Sequence, residues 1–68
     1  MNREGLFWIG VVRETPKWAY INKEGTTNTA EDKIVDGLTF DEAEALIKSM
    51  GYEFVDGGSY WERYRRVL

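Results

Sequence analysis

The sequence predicts an α+β domain in which one antiparallel sheet of about four strands packs against a single helix, in the order β-β-α-β-β. Three observations predict this fold. Residues 40–50 have the spacing of an amphipathic helix. Runs rich in aromatic and β-branched residues lie on both sides of it, and turn-forming residues separate these runs. Packing one helix on one face of a sheet buries both apolar faces, and the 68 residues suffice for a single domain, residues 1–68.

The first third of the chain is expected to form a hairpin. Residues 6–12 are apolar at successive positions, which is typical of a strand covered on both faces and so predicts a central strand. Pro16 fixes its own φ and lacks a backbone donor, so residues 13–17 should form a turn. Residues 17–21 are then the second strand, and Asn22 and Gly25 favour a second turn.

Residues 26–36 are polar and leave several structures open. Residues 26–29 could extend the hairpin, residues 33–35 could form a short strand, or the whole segment could be a loop. Loops of this length are uncommon in compact domains and often have a function.

The helix is the clearest element of the sequence. Thr39 followed by Glu42 is a capping box, which places the start of the helix at residue 40. Gly51 is expected to end the helix because glycine readily adopts positive φ. Between these residues the apolar side chains share one face: Phe40, Ala43, Leu46, Ile47 and Met50.

The last third is expected to form a second hairpin, with a strand at 52–55, a turn at 56–59 and a closing strand at 60–67. Alternation divides the closing strand into two faces. Neither face is fully apolar, which predicts a strand at an edge of the sheet or one that is partly exposed. The two faces are Tyr60, Glu62, Tyr64 and Arg66, and Trp61, Arg63, Arg65 and Val67.

The composition removes most catalytic chemistry. The chain has no cysteine and no histidine, which excludes disulfides, zinc sites with thiolate or imidazole ligands, cysteine nucleophiles and histidine bases. The acidic residues Glu31, Asp32 and Asp36 lie close in sequence but lack the spacing of a calcium-binding loop. We therefore expect no enzyme activity, no catalytic residue, no metal and no cofactor.

Two further features bear on location and partners. No run reaches the length of a membrane span, and residues 6–12 lack a following cleavage site for a signal peptide. These observations predict a cytoplasmic protein without a membrane partner. The net charge is −3, and most acidic residues lie between 24 and 56.

The candidate binding residues are the aromatic and basic side chains of the closing strand: Tyr60, Trp61, Arg63, Tyr64, Arg65 and Arg66. Aromatic residues and arginine dominate protein–protein hot spots, and they also stack on unpaired bases. Trp8 and Trp18 are expected to fill the core. An alternative surface is the acidic helix face formed by Asp41, Glu42 and Glu44, which would suit a basic partner.

Two resemblances bear on function. The segment from Ala45 to Val55, followed by Gly58 to Tyr64, resembles the helix–strand–strand part of HicA-type RNA-cleaving toxins. Those toxins carry a histidine where Tyr60 stands here, so the resemblance does not carry RNA cleavage to this chain. The hairpin, the helix that begins Thr39-Phe40-Asp41-Glu42 and the strands after it also resemble small accessory proteins of bacteriophages and mobile elements, many of which bind and inhibit a host enzyme.

The sequence therefore predicts a non-enzymatic protein-binding module, phage-encoded and inhibitory toward a host enzyme or defence complex. One alternative is a single-stranded nucleic-acid-binding domain that uses an aromatic and basic sheet face. The net charge of −3 counts against this alternative. Another alternative is a self-associating structural protein, for example a homodimer formed through the closing strand.

Overall fold

The computed structural model describes residues 1–68 and contains one five-stranded sheet and one helix. The elements in chain order are β1 (Phe7–Val12), β2 (Trp18–Lys23), β3 (Glu31–Leu38), α1 (Phe40–Ser49), β4 (Tyr52–Gly57) and β5 (Trp61–Arg66). The strands lie in the order β3-β1-β2-β5-β4, and every neighbouring pair is antiparallel. The α+β class with a single antiparallel sheet is confirmed. The sheet has five strands instead of about four, because residues 31–38 form a complete strand.

The core lies between the sheet and α1. It consists of Phe7, Ile9, Ala19, Ile21, Phe40, Ala43, Ile47, Tyr52 and Tyr64, all buried. The rings of Phe7 and Phe40 meet edge to face, with centroids 5.4 Å apart. Burying a side chain of this size contributes about 1.5–3 kcal/mol, so a few such residues account for much of the stability of a domain this small.

The termini of α1 follow the sequence pattern. The side chain of Thr39 accepts a hydrogen bond from the backbone N–H of Glu42 at 3.2 Å, and the Glu42 carboxylate accepts one from the backbone N–H of Thr39 at 2.9 Å. Gly51 follows the helix with φ of 92°, a conformation that favours glycine. The predicted capping box and helix are confirmed, with the end one residue earlier than expected.

Strand β3 is the element that the sequence left open between loop and short strand. Its pairing with β1 contains two register shifts, so that Val35 lies opposite Ile9 whereas Leu38 lies opposite Phe7. Gly37, with φ of 69°, lies within the first irregularity. The shifts place apolar residues three apart on the same face, which breaks the alternation that identifies a strand.

Strand β5 lies inside the sheet, between β2 and β4, and not at an edge. The expectation of an edge position is corrected, while the expected partial exposure holds because Arg65 and Arg66 are exposed. The polar residues that suggested an edge are accommodated in the interior. Tyr64 is fully buried, and its hydroxyl donates to Glu62 Oε1 at 3.1 Å.

The sheet has a helix on one face only. We call the opposite face the open face; it consists of Trp8, Gly10, Val12, Trp18, Tyr20, Asn22, Glu31, Lys33, Trp61, Arg63 and Arg65, with Glu53 and Asp56 from β4. No helix of the structure has the length and apolar character of a membrane span.

Candidate functional site

The centre of the open face is built by β2 and β5. Their register sets Trp18 opposite Arg65, Tyr20 opposite Arg63 and Asn22 opposite Trp61. Side chains that face each other across an antiparallel pair lie on the same side of the sheet, within contact distance. The two strands therefore bring aromatic and basic residues together on the face that α1 does not cover.

Three aromatic side chains of this face are partly buried although no helix or strand lies over them. Tyr20 and Trp61 meet edge to face with ring centroids 5.7 Å apart. The guanidinium carbon of Arg63 lies 5.4 Å from the centroid of the Trp18 ring. Aromatic pairs and cation–π contacts of this kind contribute about 0.5–1.5 kcal/mol each. The rings thus stabilise one another and still expose part of their surface.

Arg63 is fixed in place by Asp56 of β4. Its Nε donates to Asp56 Oδ1 at 2.8 Å and its Nη2 donates to Oδ2 at 2.5 Å, which is a two-point contact. A bulge between Phe54 and Asp56 brings the carboxylate into register with Arg63. The hydrogen bonds that Arg63 donates to Asp56 raise the pKa of the Arg63 guanidinium above its ordinary value.

One end of the open face is covered by the chain between β2 and β3. The indole Nε1 of Trp8 donates to the carbonyl oxygen of Thr26 at 3.2 Å. The ammonium of Lys33 lies 5.1 Å from the centroid of the same ring. Trp8 is therefore buried, as expected, but by a loop and a lysine on the open face and not by the helix.

A buried carboxylate fastens this loop to the sheet. Glu31 lies against Gly10 and accepts hydrogen bonds from Asn22 Nδ2 at 2.9 Å and from Asn28 Nδ2 at 2.5 Å. Burial raises the pKa of the Glu31 carboxyl, and the hydrogen bond from Asn22 partly offsets that effect. Both carboxylate oxygens are satisfied inside the protein, which gives Glu31 a structural role.

The structure divides the predicted binding residues. Trp61, Arg63 and Arg65 share the open face, whereas Arg66 lies on the helix side opposite Tyr52. Tyr60 precedes β5 in a turn and is 63% exposed.

Tyr64 belongs to the core, and Trp18 does not. Tyr64 is fully buried because its position on β5 faces α1, so the structure places it away from any surface. Trp18 was expected in the core but lies on the open face with Tyr20. Trp18 and Tyr20 are two residues apart on β2, as Trp61 and Arg63 are on β5. This shared alternation is the sequence pattern that could have predicted that the four side chains lie on one face.

Each of the three residues of the acidic helix face has a role within the helix. Glu42 completes the capping box, and Glu44 lies 3.6 Å from Lys48 in an ion pair along the helix. Asp41 and Glu42 in the first turn also complement the helix dipole. These contacts explain the acidic residues without a partner.

The remaining acidic cluster of the sequence is dispersed by the fold. Asp32 contacts Arg13 at 2.9 Å and Asp36 contacts Lys33 at 3.6 Å, while Glu31 is buried on the open face. No group of three or more acidic side chains is placed so as to hold a metal ion.

Comparison with known proteins does not assign the chain to a family. No protein-family model, curated protein or solved structure matches it.

Proposed function

We propose that this protein is a non-enzymatic protein-binding module whose partner docks on the open face. The observation that supports the proposal is the group of Trp18, Tyr20 and Trp61 around Arg63, partly buried on a sheet face that no helix covers. Tryptophan, tyrosine and arginine are the residue types that contribute most to protein–protein hot spots. The exposed parts of these aromatic rings would be covered more favourably by a protein surface than by water.

The geometry also favours binding because the side chains are ordered before a partner arrives. Asp56 holds the guanidinium of Arg63 at two points, and Trp61 packs against Tyr20. Immobilising a flexible side chain on binding costs about 0.5–1.5 kcal/mol. A face whose central residues are already fixed avoids most of that cost.

The charges of the open face favour a protein over a nucleic acid. Of the three cations on the open face, Arg63 and Lys33 each pair with an acidic residue, Asp56 and Asp36, and Arg65 alone is unpaired. Binding a phosphate backbone depends on cations that can replace its counterions. Cations that are already paired do this poorly, and the chain as a whole is acidic.

The edges of the sheet do not favour self-association through backbone pairing. The two edge strands are β3 and β4, and both contain register irregularities in their pairing with the neighbouring strand. Bulges at edge strands disrupt the regular row of donors and acceptors that another strand would need. Side-chain contacts on the open face are the route to a partner that we propose.

The partner class that we propose is a bacterial enzyme or defence complex that the module inhibits, because the order of elements resembles small accessory proteins of phages and mobile elements. The first experiment is affinity capture from bacterial lysate with and without nuclease, read by mass spectrometry. One stoichiometric protein that survives nuclease supports the proposal. Capture that nuclease abolishes would favour the nucleic-acid alternative.

Variants then test which surface binds the captured partner. Trp61→Ala combined with Arg63→Ala should weaken binding by about thirtyfold or more, since hot-spot residues contribute at least about 2 kcal/mol. Tyr60→Ala is the matched control, because Tyr60 is an exposed aromatic residue outside the open face. Circular dichroism and thermal unfolding establish that each variant is folded. A folded double variant with unchanged affinity in calorimetry would refute the proposed site.

The acidic helix face is tested in the same assay. Asp41→Lys combined with Glu44→Lys reverses its charge and leaves the Thr39–Glu42 capping box intact. We expect unchanged affinity. A strong loss of affinity in this variant alone would move the binding site to the helix.

A further inference from the structure

The two halves of the open face carry opposite charges on either side of β2, the middle strand of the sheet. One row of paired residues crosses all five strands. From β3 to β4 this row consists of Lys33, Gly10, Tyr20, Arg63 and Asp56. A cation therefore lies at one edge of the sheet, a carboxylate at the other edge, and an aromatic ring in the middle.

The height of the face differs between the same two halves. On the β1 side the loop between β2 and β3 lies over the sheet, where the indole of Trp8 donates to the carbonyl oxygen of Thr26. Trp61 lies at the same level on the β5 side, because both tryptophans pair with Asn22. There the face is low, since the ring of Trp61 lies against Gly58, 3.0 Å from the position of a Cβ.

We propose that two copies of this chain pack open face against open face, about a two-fold axis that runs close to the direction of β2. Such an axis exchanges the two halves of the face, so that unlike halves meet. It places Lys33 of each copy against Asp56 of the other, with the two Tyr20 rings at the axis. The loop over Trp8 in each copy then lies over the low area at Trp61 of the other.

The two charges at the ends of the row are available for this contact. The side chain of Lys33 is 53% exposed and that of Asp56 is 48% exposed. Each oxygen of Asp56 accepts one hydrogen bond from Arg63 and has a second acceptor site for an ammonium. Lys33 lies 3.6 Å from Asp36 in an exposed ion pair, and pairs of this kind are weak.

The size of the face is sufficient for a weak dimer. Strands β1, β2, β4 and β5 have six residues each, so the sheet measures about 24 by 20 Å. Two such faces together remove about 1,000 Å² from water, which is near the lower limit for a specific interface. Two sheets commonly pack face to face with their strands nearly aligned, as this axis requires. We expect a dissociation constant of about 10–100 μM.

The dimer goes beyond the proposed function and uses the same face. A second copy and the proposed partner therefore exclude each other. In the absence of a partner, the second copy covers the partly exposed rings of Trp18, Tyr20 and Trp61. Binding of a partner then requires the dimer to dissociate.

Sedimentation velocity between about 5 and 500 μM tests the dimer. The mean mass should rise from that of one chain to that of two. Lys33→Glu should weaken the dimer about tenfold or more, because two attractions are lost and two repulsions are gained, each worth roughly a factor of two. Lys48→Glu is the matched control, since it makes the same charge change on α1, which covers the other face. A protein that stays monomeric, or equal effects of the two variants, would overturn the proposal.

A second variant tests the contact directly. Asp56→Lys alone should also weaken the dimer, because it sets cations against each other. In a mixture of the Lys33→Glu and Asp56→Lys variants, both ends of the row again join opposite charges, so the mixed dimer should be tighter than the dimer of either variant alone. Circular dichroism establishes that both variants are folded. No mixed dimer between folded variants would overturn the proposed axis.

Affinity capture distinguishes the dimer from the proposed function. A chain that stays monomeric and captures a protein refutes the dimer and leaves the proposed function standing. A chain that forms this dimer and captures no protein supports the dimer and refutes the proposed function. Where both are found, adding the captured protein should convert the dimer into a complex with one copy of the chain. A complex that retains the dimer would overturn the shared use of the open face.

Discussion

Among the glycines of the chain, Gly10 is the one where an added methyl group meets the shortest contacts, so we expect its substitution to lower the stability strongly. A Cβ at this position would overlap the Glu31 carboxylate and stand 2.6 Å from the Trp8 ring. The carboxylate cannot move freely, because both of its oxygens accept hydrogen bonds from Asn22 and Asn28. Gly10→Ala therefore forces the loop that carries Asn28 away from the open face, or the ring of Trp8 out of its site.

The size of the effect follows from the contacts that are lost. A hydrogen bond to a charged group contributes about 1.5–3 kcal/mol, so losing two costs at least about 3 kcal/mol. Replacing glycine by alanine restricts the unfolded chain and returns about 0.4–1 kcal/mol. The net loss is therefore at least about 2 kcal/mol. Total stability for a chain of this length is about 3–10 kcal/mol, so the loss is a large fraction of it.

Urea unfolding followed by circular dichroism measures this loss. With a slope of about 1 kcal/mol per molar urea for a small domain, the midpoint should fall by about 2 M. Gly25→Ala is the control, because no atom lies within 4 Å of its Cβ position and only its φ of 93° opposes alanine, at about 1 kcal/mol. Gly10→Ala should also cost less in a Glu31→Ala background, where the carboxylate is absent and the close contacts with the Trp8 ring and the Cβ of residue 31 remain. An equal cost with and without the Glu31 side chain would refute the explanation.

Three further predictions concern buried polar groups and the helix. Because the folded-state pKa of Glu31 is raised, its protonated form favours folding, and this contribution is lost as the pH rises through the folded pKa. The stability of Glu31→Gln relative to the unchanged protein should therefore rise from about pH 4 to about pH 7, and a relative stability that falls with pH in urea unfolding would contradict this. Tyr64→Phe removes the hydroxyl that donates to buried Glu62 and should cost about 1–2 kcal/mol, whereas Tyr60→Phe at an exposed site should leave the thermal midpoint unchanged. Thr39→Ala removes one bond of the capping box and should cost about 1 kcal/mol in the same measurement; no loss would show that the cap does not stabilise α1.

The elements that sequence predicts well are those determined by local chemistry. The helix is such an element, because Thr39, Glu42 and Gly51 mark its ends through contacts within a few residues. Strand β3 is the opposite case. Its inward side chains Val35 and Leu38 are separated by an irregularity that exists only in the pairing with β1, so no local pattern predicts the strand.

The candidate site is only partly predictable for a similar reason. Alternation separates Trp61 and Arg63 from Tyr64 correctly, but it does not say which face meets the helix. The polar appearance of Tyr64 and Glu62 favoured an edge strand, whereas their mutual hydrogen bond allows them to be buried. Trp18 and Tyr20 lie beside β5 because β2 and β5 are neighbours in the sheet. This strand order depends on the whole chain.

The interior position of β5 also has a consequence for how the protein folds. The residues that pair between β2 and β5 are separated by more than half of the chain, and contacts this distant in sequence form slowly because a long loop must close first. The two hairpins can form early, but each alone carries only part of the aromatic group. The side chains proposed to bind a partner come together only when β2 and β5 join, so a partly folded chain has no binding face.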